Sequence, residues 1–173
     1  MKLFLVGYMG SGKSTLGRRL AEVMGLKHLD LDDYLEKSES RTIPEIFEGE
    51  GEAGFRGIER RCLQEIIDSQ DEVVISTGGG TPCFYDNMQK MNEAGLTIYL
   101  RMDVKSLVFR LENSKQDRPL LRGKDLNEMD AYVRQHLEER KHYYEEAVIS
   151  VDGMGLSDKR LEQLVEAIVN YSR

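Results

Sequence analysis

Lys2-Leu3-Phe4-Leu5-Val6-Gly7-Tyr8-Met9-Gly10-Ser11-Gly12-Lys13-Ser14 joins an apolar run to a glycine-rich loop ending in Lys-Ser. The run reads as a short strand that stops at Gly7, and from Ser14 onward Leu16, Leu20, Val23 and Met24 recur at helical spacing. Gly7 to Ser14 thus satisfies G-x-x-x-x-G-K-[ST] between a strand and a helix, the context the motif requires. Glycines let the chain wrap an anion with successive N–H groups turned inward, and the helix opening near Lys13 adds its positive dipole end. Lys13 reaches the β- and γ-phosphates of a bound nucleotide, and the Ser14 hydroxyl is placed to ligate Mg²⁺ directly. The competing reading is a glycine-rich turn that merely precedes Lys-Ser, and the flanking strand and helix weigh against it.

Outward from this loop the same unit recurs. Lys27 to Leu31, Glu72 to Ser76, Leu96 to Leu100 and Ala147 to Val151 are further strand candidates, with helical periodicity between them. Asp103 caps a helix from Val104 to Leu111, and after Ser157 the residues Leu161, Leu164, Val165, Ile168 and Val169 describe a terminal amphipathic helix. Apolar strands alternating with helices argue for a parallel sheet covered on both faces, an α/β fold. The chain of 173 residues, 40% hydrophobic, has the length of one domain with one substantial core. No linker, repeat or low-complexity stretch divides it, so residues 1–173 are expected to pack as one body.

Charge narrows the partners. The 24 basic and 31 acidic residues leave a net −7, so the average surface repels nucleic acid and anionic membranes, and an anionic ligand needs a local cationic cluster. Two cysteines, Cys62 and Cys83, make no CxxC pair and too few bridges for a secreted scaffold. The early apolar run is too short for a signal h-region or a membrane span, and a cytoplasmic chain is expected. Cys62 reads as a core residue, and His28, His136 and His142 form no metal constellation. A guanine-nucleotide switch is disfavoured, because Asn113-Ser-Lys-Gln-Asp117 is out of register with an Asn-Lys-x-Asp base reader.

A second ligand is suggested by charges on apolar faces. Asp30 and Asp32 sit at the end of the second strand; if the chain is still extended there, both carboxylates face one site. The competing reading is that either of them caps a helix beginning near Tyr34, where Asp33 is also a cap candidate. On a helix from about Gly51 to Asp68, Glu59 falls inside the apolar stripe and Arg56 on its flank. On a helix from Leu126 to Tyr144, Arg140 takes the inward position after Leu137. An ion pair accounts for Glu59 and one arginine; the other is left for a carboxylate or phosphate ligand. Residues 112–124, polar and carrying Pro119 and Gly123, read as a lid or a tolerated insertion.

Taken together, the loop at 7–15, Leu29-Asp-Leu-Asp32, Gly54-Phe-Arg56 with Glu59, Ser76-Thr-Gly-Gly-Gly80, Asp117-Arg-Pro-Leu-Leu121 and Glu139-Arg140 resemble the shikimate kinases, in order and over nearly the whole chain. The resemblance implies a three-layer α/β/α fold of the P-loop kinase type, with a five-stranded parallel sheet, a helical substrate-binding insertion at 32–67 and a lid at 112–124. It implies ATP- and Mg²⁺-dependent phosphorylation of the shikimate 3-hydroxyl by a monomer. The implied nucleotide contacts are Gly10, Ser11, Gly12, Lys13, Ser14 and Thr15, with Arg118 supplied by the lid; Arg110 is the candidate to stack on the base, against a solvated helix-face arginine. The implied substrate contacts are Asp32, Arg56, Gly78, Gly79, Gly80 and Arg140. Asp32 is the candidate base, Asp30 holds Mg²⁺ through water, and Lys13 and Arg118 offset charge on the transferring group. Where the family often has Pro-Leu-Tyr after the second substrate arginine, this chain has Lys141-His142-Tyr143-Tyr144, and Asp152 to Leu156 offers no arginine to read the base. A gluconate-type or nucleotide kinase on the same scaffold, and a non-catalytic nucleotide-binding module, are the alternatives.

Overall fold

The computed structural model describes residues 1–69, 72–114, 123, 125–155 and 157–171. The elements in chain order are β1 (Lys2–Val6), α1 (Lys13–Met24), β2 (Lys27–Asp30), α2 (Leu31–Glu39), α3 (Ile43–Asp68), β3 (Val73–Ser76), α4 (Asn87–Ala94), β4 (Leu96–Arg101), α5 (Val104–Glu112), α6 (Leu126–Glu145), β5 (Ile149–Asp152) and α7 (Asp158–Tyr171). A single 3-10 turn covers Thr81–Cys83.

The five strands form one parallel sheet in the order β2-β3-β1-β4-β5. Central β1 is buried on both faces, and its alternation sorts two cores. Phe4 and Val6 face α2 to α6 together with Leu31, Phe55, Leu63, Ile75 and Val133. Leu3 and Leu5 face α1 and α7 together with Leu16, Leu20, Ile98, Leu164 and Ile168. The expected three-layer α/β/α architecture is therefore present, and Cys62 lies fully buried in the first core.

Three boundaries differ from the sequence reading. The second strand ends at Asp30, because Asp30 Oδ1 accepts from the Asp32 N–H and caps α2, which starts at Leu31 rather than near Tyr34. Asp33 is consequently inside the helix. The helix expected from Gly51 begins at Ile43, where a Thr42/Glu45 capping box opens it, and it runs on to Asp68 with a kink at Gly51 (φ 68°, ψ −174°). Leu126–Glu145 and the terminal helix stand close to where periodicity puts them.

Close approach holds α1 to the sheet. A Cβ on Gly17 would stand 2.6 Å from Ser76 Oγ and 2.7 Å from His28 Nε2, two atoms that are themselves hydrogen-bonded at 3.0 Å. Gly57 in α3 has open space around it. Gly17→Ala should therefore cost roughly 1–3 kcal/mol through overpacking, whereas Gly57→Ala should gain about 0.5–1 kcal/mol from helix propensity. Urea unfolding of the two variants checks this, and equal effects would mean that α1 does not rest on its glycine.

Candidate active site

Parallel register brings the ends of three strands to one edge. Ser76 is paired with Leu5 on one side and Asp30 on the other, so the loops after β1, β2 and β3 emerge together. Such a carboxyl-end crevice is where open α/β sheets hold ligands.

The first loop is the phosphate-binding motif. Gly12 takes the N-cap position of α1 at φ 97° with no side-chain cap, a conformation that costs glycine least. The helix start thus keeps its N–H groups available to an anion. Lys13, nearly buried, donates to the carbonyls of Gly7 (2.8 Å) and Tyr8 (2.9 Å), which places its ammonium over the loop. Ser11 Oγ is buried with no hydrogen-bond partner among the described residues. Arg110 from α5 donates to the Ser11 carbonyl at 3.1 Å, so its guanidinium braces this loop. Thr15, on the first turn of α1, is exposed.

The second strand end supplies Asp30 and Asp32. Ser14 Oγ donates to Asp30 Oδ2 at 2.6 Å, which sets a hydroxyl and a carboxylate oxygen side by side at the loop. Both are hard oxygen donors of the kind Mg²⁺ accepts, and among the described residues no group of three or more His, Cys, Asp or Glu side chains stands ready to enclose a metal. A cation that keeps most of its waters and shares phosphate oxygens fits that donor set. Because Asp30 turns the chain into α2, the two aspartates do not share the face of a strand as the extended reading has it. They nonetheless remain electrostatic neighbours. Burial, then the Asp30 and Glu59 carboxylates, push Asp32 up to about 6, while Lys13 and Arg56 pull the other way.

The third strand end, Gly78 to Gly80, is packed from all sides. A methyl group on Gly78 would lie 3.0 Å from Thr81 Oγ1, 3.1 Å from Glu59 Oε1 and 3.2 Å from Asp32 Oδ1. On Gly80 it would lie 2.4 Å from Arg56 Nη2, and on Gly79 2.9 Å from the Met9 backbone nitrogen. These distances join all three loops in one pocket wall.

Glu59, 1% exposed, accepts from Arg56 Nη1 at 2.8 Å and from Thr81 Oγ1 at 2.6 Å. Its partner is thus Arg56, three residues back on the same helix. The Arg56 guanidinium lies 4.2 Å from the Phe84 ring centroid and 4.9 Å from that of Phe55. Its Nε is buried with no hydrogen bond among the described residues, 3.7 Å from Glu52 Oε1. Arg140 is half-buried, stands close enough to Tyr144 to act on its phenol, and among the described residues is ion-paired to no carboxylate. Arg56 lies against Gly80 and Tyr144 bonds α6 to the Gly79 carbonyl, so the helices that carry Arg56 and Arg140 meet at the 3-10 turn, where the Cys83 thiol feels both guanidinium groups.

Several participants carry no sequence signal of their own. Thr81, which holds Glu59, and Tyr144, whose hydroxyl donates to the Gly79 carbonyl at 2.6 Å, read only as a loop residue and a stripe residue. Arg118 lies outside the described residues, as does most of 112–124. The loop after β5 is held by an arginine from the last helix: Arg160 of α7 donates to the Met154 carbonyl at 2.6 Å.

The raised Asp32 carboxyl has a measurable sign. A folded-state value of about 6 against an ordinary 3.8 means that ionising Asp32 disfavours the folded chain, a cost that sets in as pH rises from about 4 and is complete above about 6. In protein free of nucleotide and metal, Asp32→Asn should raise stability above pH 6 by on the order of 1–3 kcal/mol and change it little below pH 4. Denaturant titrations at both pH values check this; a gain at low pH alone would contradict the burial argument.

Comparison with known proteins agrees with this geometry. The family model for shikimate kinase matches residues 9–171. The shikimate kinase of Parabacteroides distasonis is 46% identical over 151 residues, covering 87% of this chain and 87% of that one. The crystal structure of shikimate kinase from Bacteroides thetaiotaomicron superposes with a TM-score of 0.89 at 40% identity, over 99% of this chain and 97% of that one. Shikimate kinase from Acinetobacter baumannii, solved in complex with shikimate, gives 0.86 at 33% identity over 98% and 93%. Among the described residues no helix is long and apolar enough to cross a membrane. Matched along nearly its whole length in both sequence and backbone, this chain belongs to the shikimate kinase family.

Proposed function

We propose that the chain transfers the γ-phosphoryl group of ATP to the 3-hydroxyl of shikimate, giving shikimate 3-phosphate and ADP, a step toward chorismate and the aromatic amino acids. The observation that carries this reading is the convergence of Arg56 and Arg140 beside the Gly78–Gly80 wall, next to Asp32 and across from the phosphate loop. Two guanidinium groups carried to one 3-10 turn suit a compact carboxylate, which they would bind as planar forks.

Gly10, Ser11, Gly12, Lys13, Ser14 and Thr15 hold the nucleotide phosphates, and Arg110, fastened to the Ser11 carbonyl, keeps that loop in shape while presenting its outer face to the base. Arg56 and Arg140 hold the substrate carboxylate, and Gly78, Gly79 and Gly80 leave room for its ring. Ser14 would hold Mg²⁺ directly and Asp30 through water; when bound, the cation neutralises charge on the phosphate oxygens. The substrate hydroxyl oxygen bonds to the γ-phosphorus as the bond to the ADP oxygen breaks. Asp32 orients that hydroxyl and takes its proton, and Lys13 stabilises the charge that develops on the transferred group. Arg118 is assigned to the same task from the lid. Alignment and charge supply most of the rate, since phosphoryl transfer needs little covalent chemistry from the protein.

Coupled ADP release measured side by side with shikimate, gluconate and nucleoside monophosphates should show turnover with shikimate alone. Lys13→Met should abolish it while leaving the chain folded. Turnover with a nucleoside monophosphate instead would replace the substrate assignment, and wild-type turnover in Lys13→Met would remove the phosphate loop from the mechanism.

Arg140→Lys keeps the charge and loses the fork, so shikimate binding should weaken by roughly 1.5–3 kcal/mol with nucleotide affinity nearly unchanged. Because Glu59 is paired with Arg56, the melting temperature should move little. Titration calorimetry with thermal melts checks both; intact shikimate affinity would mean that Arg56 alone holds the carboxylate.

A further inference from the structure

Helix α6 presents His136, Arg140 and Tyr144 at four-residue spacing, one above another on a single face. Each end of that face is bonded to a different loop of the pocket. His136 Nδ1 is hydrogen-bonded to the Tyr8 hydroxyl at 2.8 Å, and the two rings meet edge to face with centroids 5.5 Å apart. Tyr144 donates to the Gly79 carbonyl at 2.6 Å. Arg140 stands between them.

Tyr8 belongs to the phosphate loop and is 2% exposed. Its carbonyl accepts from Lys13 Nζ at 2.9 Å and from the Ser11 N–H at 3.2 Å. A continuous path of direct bonds therefore runs from α6 through His136 and Tyr8 to Lys13, and it is separate from the wall contact between Gly79 and Met9. Tyr132, one turn before His136, packs its ring 5.0 Å from the imidazole and limits the ring's freedom.

We propose that the Tyr8–His136 hydrogen bond is a positioning link between the two substrate sites: it sets the phosphate loop at a fixed distance from Arg140, so that occupation of either site strengthens binding at the other. The inference rests on the shikimate kinase reading. A rigid helix carrying both His136 and Arg140 cannot shift toward the acid without drawing on Tyr8, and an occupied phosphate loop holds Tyr8 still. Such coupling is reciprocal, and each site keeps its own contacts when the link is cut.

Shikimate is titrated calorimetrically into the free protein and into protein saturated with Mg²⁺ and a non-hydrolysable ATP analogue, and the ratio of the two dissociation constants measures the coupling. The wild type should show several-fold tighter binding with nucleotide present. Tyr8→Phe, which removes one oxygen and keeps the ring, and His136→Leu should each reduce the ratio by roughly threefold to tenfold, the scale of one hydrogen bond. The double variant should lose no more than either alone. His136→Asn, whose amide reaches about as far as Nδ1, should retain most of the coupling. A wild-type ratio of one, additive losses in the double variant, or a fall in melting temperature with the ratio intact would each overturn the link and leave a packing contact. Should His136→Leu fail to fold, Tyr8→Phe decides alone. Wild-type protein that does not bind shikimate at all would overturn the functional reading together with the link, whereas binding without coupling overturns only the link.

Discussion

Parallel pairing of β1 and β2 with β3, in the register that sets Leu5 and Asp30 on either side of Ser76, governs how the remaining parts meet. The Ser76 hydroxyl extends that constraint beyond the sheet, because it donates to the Lys13 carbonyl at 3.1 Å while hydrogen-bonded to His28. The first turn of α1 is thereby fastened to the neighbouring strand, and Gly17 lets the helix come that close. A phosphate loop can wrap an anion with fixed N–H groups only if both of its ends are held, and here β1 holds one and the Ser76 contact the other.

The same edge carries a second constraint of electrostatic kind. A carboxylate as deeply buried as Glu59 is tolerated only when its oxygens are satisfied, and Arg56 and Thr81 satisfy one each. The bonds do more than offset desolvation. They tie α3 to the 3-10 turn and lay the Arg56 guanidinium against Gly80, between two phenylalanine rings. Burial first, and then the field of the neighbouring Asp30 and Glu59 carboxylates, hold the Asp32 carboxyl well above an ordinary aspartate, against the pull of Lys13 and Arg56. An ordinary aspartate is a weak base near neutrality, so in the proposed reaction it is the environment of Asp32, rather than its identity, that would fit it to accept a proton.

Helix α6 supplies the opposing side. Its 20 residues are capped by an Asp125/Glu128 box and hold Val133 and Tyr144 in the core. Tyr144 remains a neutral donor because burial raises it well above the usual phenol range, and its ring stacks on Tyr99 of β4 at 5.3 Å. The helix is consequently seated on the sheet and bonded to the Gly79 loop by one residue. The chain departs from the common family pattern just after Arg140, yet Tyr144 still anchors this end of the helix, so the departure does not loosen it.

Local pattern was sufficient for much of this. A strand, a glycine loop and a helix are written into residues 2–24, the Asp103 cap placed α5, and apolar period placed α6 and α7 and marked Glu59, Arg56 and Arg140 as charges on inward faces. These features depend on neighbours a few residues apart, which the sequence displays directly. What needed tertiary structure was pairing across distance. Periodicity could not say which arginine neutralises Glu59, and it is Arg56, because the residue three back on the same helix is already within reach. It could not place Asp30 as a cap instead of the end of an extended pair, since that depends on where α2 must turn to bury Leu31 and Leu35. Nor could it find His136 on Tyr8, 128 residues away, or the raised titration of Asp32. Desolvation and hydrogen bonds between distant segments exist only once the sheet register has brought those segments together, and no local window contains that information.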